Sequence, residues 1–99
     1  MDKTITLAKP INLPVILRQA GYHPLDDAWV RPFGNSYYPR FHLHANLKEQ
    51  QLKCSLHLDQ KQHTIDLPGL KRHAGESQGT AVQAELGRIE RWISYAEML

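Results

Sequence analysis

Three of the six histidines in this 99-residue chain, His42, His44 and His57, sit in runs where polar and apolar residues alternate. Imidazole titrates near neutral pH, relays protons and ligates metals, so its placement is the first question to ask of this sequence. Phe41, Leu43, Ala45 and Leu47 alternate with His42, His44 and Asn46, and Leu52, Cys54, Leu56 and Leu58 alternate with Lys53, Ser55, His57 and Asp59. A period of two marks a half-buried strand, and the polar Lys48-Glu49-Gln50-Gln51 between the runs predicts a hairpin. With those four residues as the connection, position i faces position 99 − i. His42 then lies opposite His57, His44 opposite Ser55 and Arg40 opposite Asp59, on the face turned away from Phe41, Leu43, Leu56 and Leu58.

Several chemistries suit such a face. An antiparallel sheet commonly has one wet side, where histidine is an ordinary occupant. A metal site needs imidazoles and often a carboxylate at about 2.0–2.2 Å from one ion, which His42, His57 and Asp59 could supply to a divalent ion such as zinc or manganese. No HExxH or paired CxxC spacing accompanies them. A nucleic-acid surface would use Arg31, Arg40, Lys53, Lys61, Lys71 and Arg72 on phosphates, with Tyr37, Tyr38 or histidine, His42 among them, stacking on bases. An enzyme would use His57 as base beside Asp59, and alternation extends that side of the strand to Lys61 as an anion-holding group. His73 and Glu76 flank Ala74-Gly75, where a bend could bring both to the same place, so they join the catalytic candidates. A third class is a protein-binding or inhibitory module working through the acidic C-terminal helix or a sheet edge. Among these, a small nucleic-acid-binding domain, for RNA, is the leading expectation, with a phosphodiesterase or nuclease, metal-dependent or not, as the alternative.

Composition narrows the field. An apolar fraction of 41% in 99 residues fits one folded domain. The net charge is +2, unevenly spread: residues 1 to 75 carry ten Lys/Arg against six Asp/Glu, and residues 76 to 99 carry two against four. An anion would therefore meet the first three quarters of the chain. No apolar run approaches the roughly 20 residues that span a bilayer, and Pro10, Asn12 and Pro14 interrupt any leader-like segment, so a cytoplasmic protein without membrane contact is expected. A single cysteine, Cys54, reads as a small buried hydrophobe.

The elements around the hairpin follow from local signals. Ile5 and Leu7 alternate with polar residues in 3–8, suiting an edge strand. Leu13, Ile16, Leu17 and Ala20 follow helical spacing after Asn12, an N-cap, and Gly21 stands where a left-handed residue closes a helix. Ala28-Trp29-Val30-Arg31 reads as a strand stopped by Pro32. Residues 60–79 form a long connection. Thr80-Ala81-Val82-Gln83 has the form of a capping box, and Val82, Leu86, Ile89 and Ile93 make an apolar stripe beyond it. The expected fold is α+β: a three-stranded antiparallel sheet, four-stranded with the edge strand, with two helices packed on one face in α-β-β-β-α order. Trp29, Trp92 and Tyr95 are expected to pack.

These residues also resemble a family of short bacterial proteins of unassigned activity, through Ala20-Gly21-Tyr22, Val30-Arg31-Pro32 with Gly34, Tyr38-Pro39-Arg40-Phe41-His42, Leu56 to Lys61, and His73 to Glu76. The resemblance covers about residues 16 to 90 and favours His42, His57, Asp59, Lys61, His73 and Glu76 over His23, His44 and His63. The order of elements is similar, more loosely, to HicA-type messenger-RNA interferases, whose double-stranded-RNA-binding-like fold carries a catalytic strand histidine. The Gly-Ser-His signature of those proteins is absent, since Arg40-Phe41 precedes His42.

Overall fold

The computed structural model of the chain describes residues 1–60, 75–76 and 79–99. Eight elements follow one another: β1 (Asp2–Thr6), α1 (Leu13–Gln19), β2 (His23–Leu25), β3 (Ala28–Pro32), β4 (Arg40–Lys48), β5 (Gln51–Asp59), β6 (Gly75–Glu76) and α2 (Thr80–Met98). The strands make one open antiparallel sheet in the order β1-β5-β4-β3-β2, and the two-residue β6 pairs with β5 beyond the end of β1. The α+β class holds, as does the edge strand, which takes the outer side of β5. Strand count and order differ from expectation in detail, because β2 follows the first helix and β6 precedes the last. His23-Pro24-Leu25 is too short to alternate and contains a proline, so it carries no strand signal. It forms because Asp26, with φ 54°, turns the chain back onto β3, a left-handed conformation that aspartate tolerates.

The β4–β5 hairpin has the expected register throughout, from Arg40↔Asp59 through His42↔His57 to Lys48↔Gln51. Its connection is tighter than expected, since Lys48 and Gln51 are themselves paired and only Glu49 and Gln50 turn the chain, Glu49 with φ 58°. Shortening the loop by one residue on each side leaves the pairing unchanged, so the faces are preserved.

Phe41, Leu43, Leu52, Cys54, Leu56 and Leu58 from the hairpin meet Leu13, Ile16 and Leu17 of α1 and Val82, Leu86, Ile89 and Ile93 of α2 in a single core. Both helices thus cover the same side of the sheet, and the alternating residues of β4 and β5 are left on the outer side. Helix α1 is capped by the Asn12 side chain, which accepts from the Val15 N–H, and it stops before Gly21 at φ 102°. In α2 the capping box is not used: Gly79 is the N-cap, Thr80 is already helical, and no side chain caps the end. Trp29 and Trp92 pack against the core as expected, whereas Tyr95 is exposed. No helix among the described residues is long and apolar enough to cross a membrane.

On the helix side one carboxylate ties α2 to β3 and to the connection between α1 and β2. Glu85 of α2 is only 4% exposed. It accepts from the Tyr22 hydroxyl at 2.6 Å, from Arg31 Nε and Nη2 at 3.0 Å each, and from Arg88 Nε at 2.8 Å. Burial works to raise the Glu85 pKa, but the hydrogen bonds from Arg88, Arg31 and Tyr22 outweigh it and hold the group below the usual carboxylate range. Burial, with Glu85 adding to it, pushes the Tyr22 phenol up. Arg31 therefore belongs to the helix side, beside Phe41 in the β3–β4 register and on the Glu85 carboxylate.

Candidate metal centre on the outer sheet face

The site is built on the last two outward pairs of the hairpin, Arg40 and His42 on β4 facing Asp59 and His57 on β5. Directly opposed residues of an antiparallel pair lie about 4.5–5.5 Å apart, close enough for four such side chains to meet. Asp59 is the hub. Its Oδ2 lies 3.1 Å from Arg40 Nε and 3.0 Å from His42 Nδ1, and its Oδ1 lies 3.1 Å from His57 Nε2. The His42 and His57 rings are 4.6 Å apart between centroids, and His44 stacks on His42 at 4.9 Å. Burial lowers the His57 pKa, against the pull of Asp59 and with help from His42 and His44, which favours the neutral ring. A neutral imidazole is the form that accepts a proton or ligates a metal.

His42, His57 and Asp59 each offer a ligand atom, and these atoms all lie within 4.8 Å of one another. Two imidazoles and one carboxylate are a known donor set for a divalent transition metal, and three protein ligands leave a coordination position for water or substrate. The residues present fit such an ion: the donors converge, one is anionic, and all three are partly buried. On the β3 flank, Val30 pairs with His42 in the register and is fully buried, so one wall of the site is dry.

Arg40 completes the surroundings. It is 7% exposed, and its guanidinium lies 4.3 Å from the Tyr37 ring centroid and 4.6 Å from that of Tyr38. Those tyrosines end the loop between β3 and β4, which is closed by the Phe33 N–H donating to the Pro39 carbonyl at 3.1 Å and contains a cis Tyr38–Pro39 peptide. Arg40 Nη1 is buried and finds no hydrogen-bond partner among the described residues. Leaving a buried donor unmade costs about 1–3 kcal/mol, and more for a charged group. Burial works against the Arg40 charge, but its neighbours Tyr37 and Asp59 prevail and the pKa is raised.

The expected site residues divide cleanly. His42, His57, Asp59 and Arg40 come together, with Tyr38 at the rim. Arg31, expected on phosphates, is bound to Glu85 on the opposite face. Lys61 and His73 lie outside the described residues. Glu76 is described only as backbone, opposite Leu58 in the ladder, with Gly75 opposite Asp59. This brings the β6 backbone to the edge of β5 at the level of the site. Tyr37, expected to stack on bases, lies over the Arg40 guanidinium instead, and His44, expected on this face, stacks on His42.

No family model, curated protein or solved structure matches the chain. The geometry of the outer face therefore carries the functional reading.

Proposed function

We propose that the protein binds one divalent transition metal, zinc or manganese, through His42, His57 and Asp59, and hydrolyses phosphate esters of RNA at that centre. The observation that carries this reading is the Asp59 carboxylate, set between two imidazole nitrogens at 3.0 and 3.1 Å in a partly buried pocket. A metal so held supplies a Lewis acid and lowers the pKa of its bound water towards neutrality. The chain's own contribution is to fix the donors: Arg40 Nε orients the carboxylate, and the dry Val30 flank limits water on one side. RNA enters through the excess of Lys/Arg in the first three quarters of the chain and through Lys48 and Lys53, which continue the outer face below the site.

Metal analysis of the purified full chain tests this. We expect one zinc or manganese ion per chain, lost in His57→Ala and Asp59→Asn, together with metal-dependent cleavage of RNA. Protein that takes up no ion from an excess of zinc would overturn it. A second reading, RNA binding without hydrolysis, is favoured by Asn46, Lys48 and Lys53 lying on the same face as the histidines. In that case affinity falls steeply with salt, the Lys48→Ala and Lys53→Ala variants each reduce the salt slope by about one, and no cleavage accompanies metal loading.

A further inference from the structure

One histidine of the outer face stands outside the donor set, and its ring is placed for a different task. His42 and His44 are next but one on β4, where two residues rise about 6.6 Å, yet their ring centroids are 4.9 Å apart and their planes differ by 26°. His42 is held by Asp59, which lies in the pair on the side away from His44, so the lean belongs to the His44 ring. A ring tilted that way opens space at its other face, towards Asn46. An open hollow of about 670 Å³ occupies this part of the sheet, lined by His44, Asn46, Lys53 and Ser55 among others, within the range of about 300–1,000 Å³ found for small-molecule sites. His44 and Asn46 are both exposed, so solvent and ligands reach the free face of the imidazole.

Charge decides what the hollow takes. Its acidic and lysine residues are Asp2, Asp27, Lys3 and Lys53, and Lys3 is held by Glu90 of α2 at 2.8 Å. Two carboxylates against Lys53 leave no excess of positive charge to hold a phosphate inside. A nucleobase is uncharged, stacks on an aromatic ring through its π face, and meets amide and hydroxyl groups such as those of Asn46 and Ser55 at its edge. The long flexible stem of Lys53 carries its ammonium out to the phosphate of the same nucleotide, and Lys48 follows further along the face. Only an unpaired base can enter, because paired bases are stacked on one another and their edges are occupied. The His44 centroid lies 6.4 Å from that of His57, so a base stacked there belongs to a nucleotide beside the metal centre. Resting on the RNA-cleaving reading above, we propose that the hollow beside His44 is a subsite for one unpaired nucleobase, which makes the substrate single-stranded RNA.

Equilibrium binding of a short single-stranded oligoribonucleotide to the full chain tests this, at one fixed low salt and with chelator present so that nothing is cleaved. The single strand binds at least about tenfold more tightly than the blunt duplex of the same sequence. An abasic oligomer, which keeps every phosphate and sugar, binds at least about fivefold more weakly than the base-bearing strand. His44→Ala removes most of that difference by weakening the base-bearing strand and not the abasic one, and His44→Phe, which keeps an aromatic face, restores it. A purely structural role for His44 would weaken both ligands alike. Equal binding of strand and duplex, an abasic oligomer that binds as well as the base-bearing one, or an intact preference for bases in His44→Ala overturns the proposal, and zinc uptake by the wild type then still decides the metal reading. Protein that binds neither RNA form overturns the subsite and the RNA-cleaving reading together. Protein that discriminates bases through His44 but takes up no zinc keeps the subsite and loses the metal.

Discussion

Replacing Asp59 by asparagine separates what this carboxylate does for the fold from what it does for the site. The substitution keeps shape and one acceptor oxygen but removes the charge facing Arg40, which is 7% exposed and takes its described carboxylate partner at 3.1 Å. Removing one partner of a buried ion pair costs about 3–5 kcal/mol, because the other charge stays buried without compensation. The asparagine oxygen can recover a hydrogen bond of about 1 kcal/mol, so the expected loss in metal-free protein is about 2–4 kcal/mol. For a domain of this size that lowers Tm by roughly 10–30 °C. Urea unfolding followed by circular dichroism at pH 7.5 with chelator present measures it. The double-mutant cycle with Arg40→Gln isolates the pair, with a coupling of about 1–3 kcal/mol expected. Asp59→Asn within about 0.5 kcal/mol of wild type, or a coupling near zero, would show that Asp59 and Arg40 are not paired in solution and refute the account of the hub.

Three further outcomes follow from described contacts. Zinc at about a hundred times its dissociation constant stabilises the wild type by about 2.7 kcal/mol, and a chelator reverses this in a thermal melt; His42→Ala shows no such shift. Because Glu85 is held below its ordinary pKa, its contribution is complete above the unfolded value of about 4.3 and is lost as pH falls through the lower folded value. Glu85→Gln is therefore destabilised at pH 7, and its gap to wild type narrows below about pH 4 in urea titrations at each pH. Burial pushes the Cys54 thiol up to about 11, so a disulfide reagent at pH 8 leaves the native protein unmodified and reacts once urea unfolds it.

The hairpin and its pairs were legible because both strands alternate strictly, and pairing two alternating strands about a symmetric polar connection leaves little freedom in register. Reading the turn as four residues did no harm for the same reason. The partners of Arg31 were not legible: they depend on how α2 crosses the sheet, and Glu85 is 54 positions away. Glu85 does carry a trace of its role, since it follows Val82 by three residues on the buried side of α2. The strand β2 escaped because three residues cannot display a period. Arg40 was visible as a cation opposite Asp59, but its aromatic cover depends on the path of a loop, which composition does not set.

The two-residue turn at Glu49-Gln50 lies about 20 Å along the strands from His42 and His57. Inserting one residue there would lengthen the loop without slipping the pairs, because a slip of one place would turn Leu52, Cys54, Leu56 and Leu58 out of the core. The donors are thus held in register by the opposite face of their own strands: the apolar side, which touches none of the chemistry, is what keeps His42, His57 and Asp59 together.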